Sequence, residues 1–363
     1  MTRVRIVLAA MLAAGLVAGC AADEDGTGDG DSDGTSNEGW TPEYVDGVLQ
    51  PLPDGFPSES LVLVNPDEPG HDDGLYARAM QSALESISPV PVEVRDQSYP
   101  TFGTWAGIQY IQDQPGGAEG YYAQVAAFVG SALDTLTEPI EDEFGMGLDD
   151  INPVIATELT PFVMVARADG PWQDYQELVD AATAQPGELR YMAATGSQLD
   201  IAMQRLMSEG GWTADTVPNA SSTDAATAVA AGEGDFTMLT PSVARTHQEA
   251  GTVRVLLVIS PNEQPPAGYE GAVTTAGIGL PDEPWGSQRG WMVAPETPQA
   301  HRDWLFELFR AGSEQPQMQE RLDALPGSEL VTLEPDEIRK MMEDGLAFSE
   351  PIIRDLGLHH DQN

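Results

Sequence analysis

From residue 61 onward, short apolar runs alternate with longer segments whose apolar residues recur every three or four positions. Leu61-Val62-Leu63-Val64 reads as a strand, and 74–87 (GLYARAMQSALESI) follows with helical spacing. Val90–Val94 reads as a second strand, and the Ala-rich stretch 121–136 as a helix. Phe162–Ala166 is strand-like, and Tyr175–Ala184 makes a helix that stops before Pro186-Gly187. Leu189–Ala193, Phe236–Leu239, 253–259 and Gly290–Ala294 read as further strands. Residues 198–209, Thr223–Ala231, Gln299–Ala311 and 335–356 read as helices. Strands separated by helices of 10–15 residues lead to parallel sheets with helices on both faces. The expected class is α/β, each lobe a mostly parallel sheet flanked by helices.

The chain has 363 residues, enough for a full core and two lobes. Its 59 acids against 16 Lys and Arg give a net charge of −43, and Lys340 is the sole lysine. Such a surface repels nucleic acid and anionic headgroups, so nucleic-acid binding is excluded. The acid excess suggests a salt-rich habitat, where screening suppresses self-repulsion. One cysteine permits no internal disulfide, so packing alone must hold the fold.

That cysteine, Cys20, ends the run Leu16-Val17-Ala18-Gly19-Cys20. Arg3 and Arg5 precede an apolar stretch from Ile6 to Val17, shorter than the roughly 20 residues of a spanning helix. The segment resembles the lipobox of bacterial lipoproteins. The resemblance implies that 1–19 is a removed signal peptide and that Cys20 is lipidated. The protein would then work outside the cytoplasm, on a membrane surface. Residues 21–39 (AADEDGTGDGDSDGTSNEG) cannot bury enough surface to offset ordering, so 20–54 is expected to be an anchored acidic linker. Asp29, Asp31, Asp33 and Gly34 mimic the start of a calcium loop, but its twelfth position is Trp40. No metal site is expected there.

Several fragments, in order, resemble the TctC-type (Bug) solute receptors of tripartite tricarboxylate transporters, best over 151–260. Asn152–Ala156 and Pro161–Val165 resemble the family's crossover strand. Asp174–Val179 through Gln185–Tyr191 resembles its "ELIxxAkaxPGxlxY" stretch. Thr195–Ala202 stands where the family has "GSxxHLA", Val217-Pro218 where it has "VPYkG", and Ala231–Asp235 where it has "xxGqvD". Trp291–Pro298 resembles "WfglfaPaGTP". The resemblance implies the two-lobed type II periplasmic binding protein fold. Lobe one would combine 55–160 with 286–363, and lobe two would be 161–285, with crossings near 158–162 and 284–290. It also implies a monomeric receptor that closes on a small organic carboxylate, di- or tricarboxylate-like, and delivers it to transporter membrane subunits.

The chain departs from that family in its first ligand loop, where Gly74 replaces an Asp four residues before Arg78. "NrpGaGG" gives way to Arg95-Asp96-Gln97-Ser98, and Asn219-Ala220 replaces the Tyr-Lys of "VPYkG". Candidate ligand residues are therefore taken from strand-to-helix loops, where helix N-termini offer free N–H groups. They are Thr195, Gly196, Ser197 and Gln198; Asn219, Ser221 and Ser222; Thr240, followed by Pro241 and Ser242; and Asn65 and Asp73 after the first strand. For each, plain helix capping or a simple turn is the competing reading. Arg78, Arg95 and Arg289 are possible anion partners, or surface ion-pair residues.

His71-Asp72-Asp73 are adjacent residues that rarely converge on one ion, and no metal or cofactor is expected. Tyr99–Trp105 and Trp285–Trp291 are either cleft walls or core. There is no G-x-S-x-G elbow, Walker A loop or H-E-x-x-H, so an enzyme is not expected. A ligand sensor for a membrane signalling protein, a surface hydrolase and an adhesive lipoprotein are the competing functions.

Overall fold

The computed structural model describes residues 40–67, 71–99, 102–280 and 286–362. The predicted signal peptide, Cys20, the calcium-like run and Trp285 lie outside the described residues. A small hairpin, β1 (Tyr44–Val45) and β2 (Val48–Leu49), comes first; Leu49 and Leu52 are buried in the core beside sheet one, so this part of the expected 20–54 linker is packed rather than flexible. The chain then runs through β3 (Leu61–Asn65), α1 (Asp72–Leu84), β4 (Val92–Asp96), α2 (Gly103–Gln112), β5 (Tyr122–Ala127), α3 (Phe128–Thr137) and α4 (Ile140–Phe144). Next come β6 (Asn152–Pro161), β7 (Val163–Arg167), α5 (Tyr175–Ala184), β8 (Arg190–Ala194), α6 (Gln198–Gly210), β9 (Asp215–Asn219) and α7 (Ser222–Ala231). β10 (Phe236–Leu239), α8 (Pro241–Glu249), β11 (Val253–Val258), β12 (Val273–Thr274) and β13 (Gly286–Val293) follow. The chain closes with α9 (Gln299–Ser313), α10 (Pro316–Asp323), β14 (Glu329–Leu333) and α11 (Pro335–Asp355).

Two six-stranded sheets carry the fold. Sheet one has the order β14-β6-β13-β5-β3-β4, and sheet two the order β12-β11-β7-β10-β8-β9. Strands alternating with helices pair in parallel: β3 with β4 and β5, and β8 with β9 and β10. The strands that run through the centre do not. β13 is antiparallel to β5 and β6, and β7 is antiparallel to β10 and β11, so both sheets are mixed. Only Phe162 separates β6 in sheet one from β7 in sheet two. All of Leu61–Asn65 and all of Phe236–Leu239 are buried, as expected of strands covered on both faces.

The reading of 121–136 as one helix needs correction. Tyr122–Ala127 is a strand wedged between β3 and β13, and the helix begins only at Phe128. No Gly or Pro separates the two, and Ala127 itself is the N-cap, so small apolar residues run unpunctuated from one period to the other. The predicted strand Gly290–Ala294 also starts earlier, at Gly286, because it pairs along nearly all of β6. Trp105 and Trp291 are fully buried, which settles those two residues of the aromatic-rich stretches as core.

Each sheet is packed on both faces. Leu63, Tyr76, Trp291, Trp304 and Phe309 centre one side of sheet one, and Trp105, Phe128, Met292 and Ile338 the other. Met164, Tyr191, Met203 and Phe236 centre one side of sheet two, with Val165, Ala226, Val229 and Leu239 opposite. A smaller cluster joins α3, α6 and α11 through Val129, Leu133, Ile201 and Ile353. Ser36–Asn363 form one compact unit that contains both sheets.

Candidate functional site

The carboxyl ends of β3 and β5 lead into α1 and α3, and those of β8, β9 and β10 into α6, α7 and α8. Such ends are where an open α/β sheet presents its crevice. Local chemistry starts each helix. Ser197 caps α6 by accepting from the Asp200 N–H at 3.3 Å. Ser221 caps α7 by accepting from the Asp224 N–H at 3.1 Å. Thr240 stands at the cap position of α8, with Pro241 supplying the preset φ of a first helical residue. These caps use the third N–H of α6 and α7, which leaves the first two pointing outward along the helix axis.

The loop Thr195–Gln198 is bent by Gly196, at φ +78°, a left-handed conformation that favours glycine. The Gly196 N–H donates to the Asp200 carboxylate at 3.1 Å, which also accepts from Gln204 Nε2 at 3.2 Å. Burial pushes the Asp200 carboxyl upward, and the bonds from Gly196, Gln204 and Tyr191 pull it back only in part. Gln198 Nε2 donates to the Gly286 carbonyl at 3.1 Å, and its Oε1 lies against Gly130 near the start of α3. Asn219 ends β9, where its amide folds back on the Val217 carbonyl at 2.8 Å. Ser222 is the first residue of α7.

On the sheet-one side, Asn65 is fully buried at the end of β3 and donates to Asp96 Oδ1 at 2.9 Å and the Asp67 carbonyl at 3.0 Å. Asp73, in the first turn of α1, accepts from Arg289 Nε at 2.6 Å. Burial raises the Asp73 carboxyl, with Arg289 opposing. Ser242 Oγ of α8 donates to Asp72 Oδ2 of α1 at 2.6 Å, so these two helix starts, one from each sheet, touch. Thr240 and Ser242 hydroxyls lie 3.0 Å apart. The structure thus brings Asp73 and Thr240 to one neighbourhood, and Gln198 to the start of α3. Asn219, Ser221 and Ser222 sit at the head of the neighbouring α7.

Sequence reasoning missed the buried ion cluster behind α1. Glu158, with no exposed side-chain surface, accepts from Arg289 Nη1 at 2.8 Å and Arg321 Nε at 2.6 Å. Burial works against its charge, but the two guanidiniums outweigh that and hold its carboxyl below the usual range. A lone Glu in the pattern Thr157-Glu158-Leu159 of a buried strand was the available signal. All three arginines singled out from the sequence are engaged by this chain. Arg78 pairs with Asp96 at 2.6 Å, Arg95 donates to Tyr110 at 3.0 Å, and Arg289 is held by Asp73 and Glu158. Among the described residues no group of three or more His, Cys, Asp or Glu could hold a metal ion.

Residues 100–358 match the model of the tripartite tricarboxylate transporter family receptor (TctC). The chain belongs to that receptor family. It is similar to a UPF0065 protein of Bordetella pertussis, 25% identical over 307 residues, covering 84% of this chain and 92% of that one. Among solved structures it is similar to Rpa4515 of Rhodopseudomonas palustris with adipate, TM-score 0.67 at 20% identity, covering 82% of this chain and 97% of that one. It is also similar to MatC of the same organism with bound malate, TM-score 0.64 at 18% identity, covering 82% and 100%. This chain shares one fold with these two solved structures, and in it two sheets are flanked by helices. The family is one of solute-binding receptors. Among the described residues no helix is long and apolar enough to cross a membrane.

Proposed function

We propose that this chain is an extracytoplasmic, lipid-anchored receptor. It captures a small organic carboxylate between two lobes and hands it to the membrane subunits of a tripartite transporter. The observation that carries this reading is the convergence of helix N-termini from both sheets, with α1 touching α8 and Gln198 of α6 lying against α3. Main-chain N–H groups at helix starts bind carboxylate oxygens directly or through water. Structural relatives with malate and with adipate support the solute class. Lobe one is 55–160 with 286–363, and lobe two is 161–285. The solute is held by Asn65, Asp73, the loop Thr195–Gln198, Asn219, Ser221, Ser222 and Thr240. Because it touches both lobes, it binds the closed state more tightly and draws the population toward it. Cys20 carries the acyl anchor.

A melting-shift screen with di- and tricarboxylates, including malate and adipate, and with aromatic acids, amino acids and nicotinate-like compounds tests the reading on the mature protein. A saturable rise in midpoint is expected for at least one carboxylate, and no response to any of them would reject it. Ser222→Ala tests the site, since no bond to another described side chain depends on that hydroxyl. It should weaken the hit by about 1–3 kcal/mol if the hydroxyl is a buried donor to the solute. Cys20→Ser should move the protein from the membrane fraction to the soluble one.

A further inference from the structure

We propose that the solute carries at most one net negative charge: a monocarboxylate or an ammonium–carboxylate zwitterion rather than a dicarboxylate dianion. This rests on the receptor reading above and narrows it. At the sheet-one end of the crevice Arg78, Arg289 and Arg321 are each already bonded to a carboxylate of this chain, while Arg95, at the end of β4, donates to the Tyr110 hydroxyl at 3.0 Å. Arg78 is paired with Asp96 at 2.6 Å, on the side of β4. Arg289 spans Asp73 and Glu158 at 2.6 and 2.8 Å, and Arg321 clasps Glu158 at 2.6 Å.

Asp72 then remains, 4.0 Å from Arg289 and 3.8 Å from Arg321, too far for a hydrogen bond. Its Oδ2 takes the Ser242 hydroxyl, while its buried Oδ1 has no hydrogen-bond donor. The first turns of α6, α7 and α8 hold no Lys or Arg, and Arg245, further along α8, donates to the Ala324 carbonyl at 2.8 Å. The first turns of α6 and α7 carry Asp200 and Asp224 instead. Asp200 takes the Gly196 N–H that would otherwise face a ligand. The undescribed stretches 68–70, 100–101 and 281–285 read EPG, PT and PDEPW, so by sequence they bring no Lys or Arg.

One carboxylate can be held by the outward N–H groups of a helix start, which offer roughly half a unit of positive charge. A second full negative charge beside Asp72 meets two arginines already bonded to Asp73 and Glu158, and one acid left over. A neutral or ammonium end is free of that repulsion, and an ammonium finds Asp72 within the same cluster.

Matched pairs test this on the mature protein at low ionic strength near neutral pH, read by calorimetry. Adipate is compared with its monomethyl ester and with 6-aminohexanoate, and malate with malamate. The singly charged or zwitterionic member of a pair is expected to bind at least about tenfold tighter, and molar salt should narrow the gap. Asp96→Asn, which frees Arg78 at a half-exposed position, should narrow it too by favouring the dianion. A dianion that binds as tightly as its partner overturns this inference and leaves the carboxylate receptor standing. No binding by any compound in the panel overturns the receptor reading and this inference with it.

Discussion

Glu158 shows how much a single side chain can hold. Its carboxylate accepts hydrogen bonds from both Arg289 and Arg321, and it has no exposed surface. Removing one partner of a buried ion pair is far more damaging than the pair is stabilising, because the other charge stays buried. Glu158→Gln is therefore expected to destabilise the protein by about 3 kcal/mol, read as a lower urea midpoint. The sign with pH follows from its lowered pKa. The stabilisation is complete above the unfolded value near 4.3 and is lost as pH falls through the lower folded value. The mutant's midpoint should accordingly fall less steeply in acid than the parent's. Asp134 behaves in the opposite sense. Burial, with Glu138 nearby, pushes its carboxyl up to about 7, with the Trp105 ring N–H opposing. Its contribution is complete below about pH 4 and is lost as pH rises through the folded value. Asp134→Asn should raise the melting midpoint at about pH 8 and change it little at about pH 4. Equal effects at both pH values would show that Asp134 is not held neutral.

At the scale of elements, the sequence was most legible where punctuation is chemical. Asp174, Ser197 and Ser221 are side-chain caps, and the helices behind them begin within one residue of where the pattern puts them. The strand Tyr122–Ala127 was hidden because its burial comes from neighbours on both sides, a tertiary fact with no local mark. The same limit applies to the candidate site. The loops after β8, β9 and β10 can be found from local pattern, but the contact of Asp72 with Ser242 joins residues 170 positions apart. The Glu158 cluster likewise depends on register, since Glu158 and Arg289 are directly paired across β6 and β13. Just beyond that pair the ladder shifts, and Gly290 lies so close to β6 that a Cβ would sit 2.0 Å from the Ile155 carbonyl oxygen and 2.5 Å from Ala156 Cα. Both obstacles are backbone and cannot rotate away. Gly290→Ala is expected to cost about 3 kcal/mol, the upper end of overpacking, and to appear as a lower urea midpoint with the slope unchanged.

For the whole molecule, the decisive quantity is a net charge of −43, most of it carried by one compact unit. Like charges at that density oppose the folded state, because unfolding moves them apart. Several exposed ion pairs lie one helical turn apart, such as Arg245–Glu249, Lys340–Asp344 and Arg354–Glu350. Each adds little and weakens in salt. The Glu158 cluster is buried and is screened much less. Raising sodium chloride from about 0.05 M to about 1 M shortens the screening length to about 3 Å, which removes most of the repulsion while sparing the buried pairs. The melting midpoint of the mature chain should therefore rise by several degrees. The rise should exceed any produced by a neutral osmolyte of equal osmotic strength, because it comes from charge and not from general surface exclusion. An unchanged or falling midpoint would mean that the acids are already spaced or paired well enough to make repulsion negligible, and the case for a salt-adapted surface would go with it.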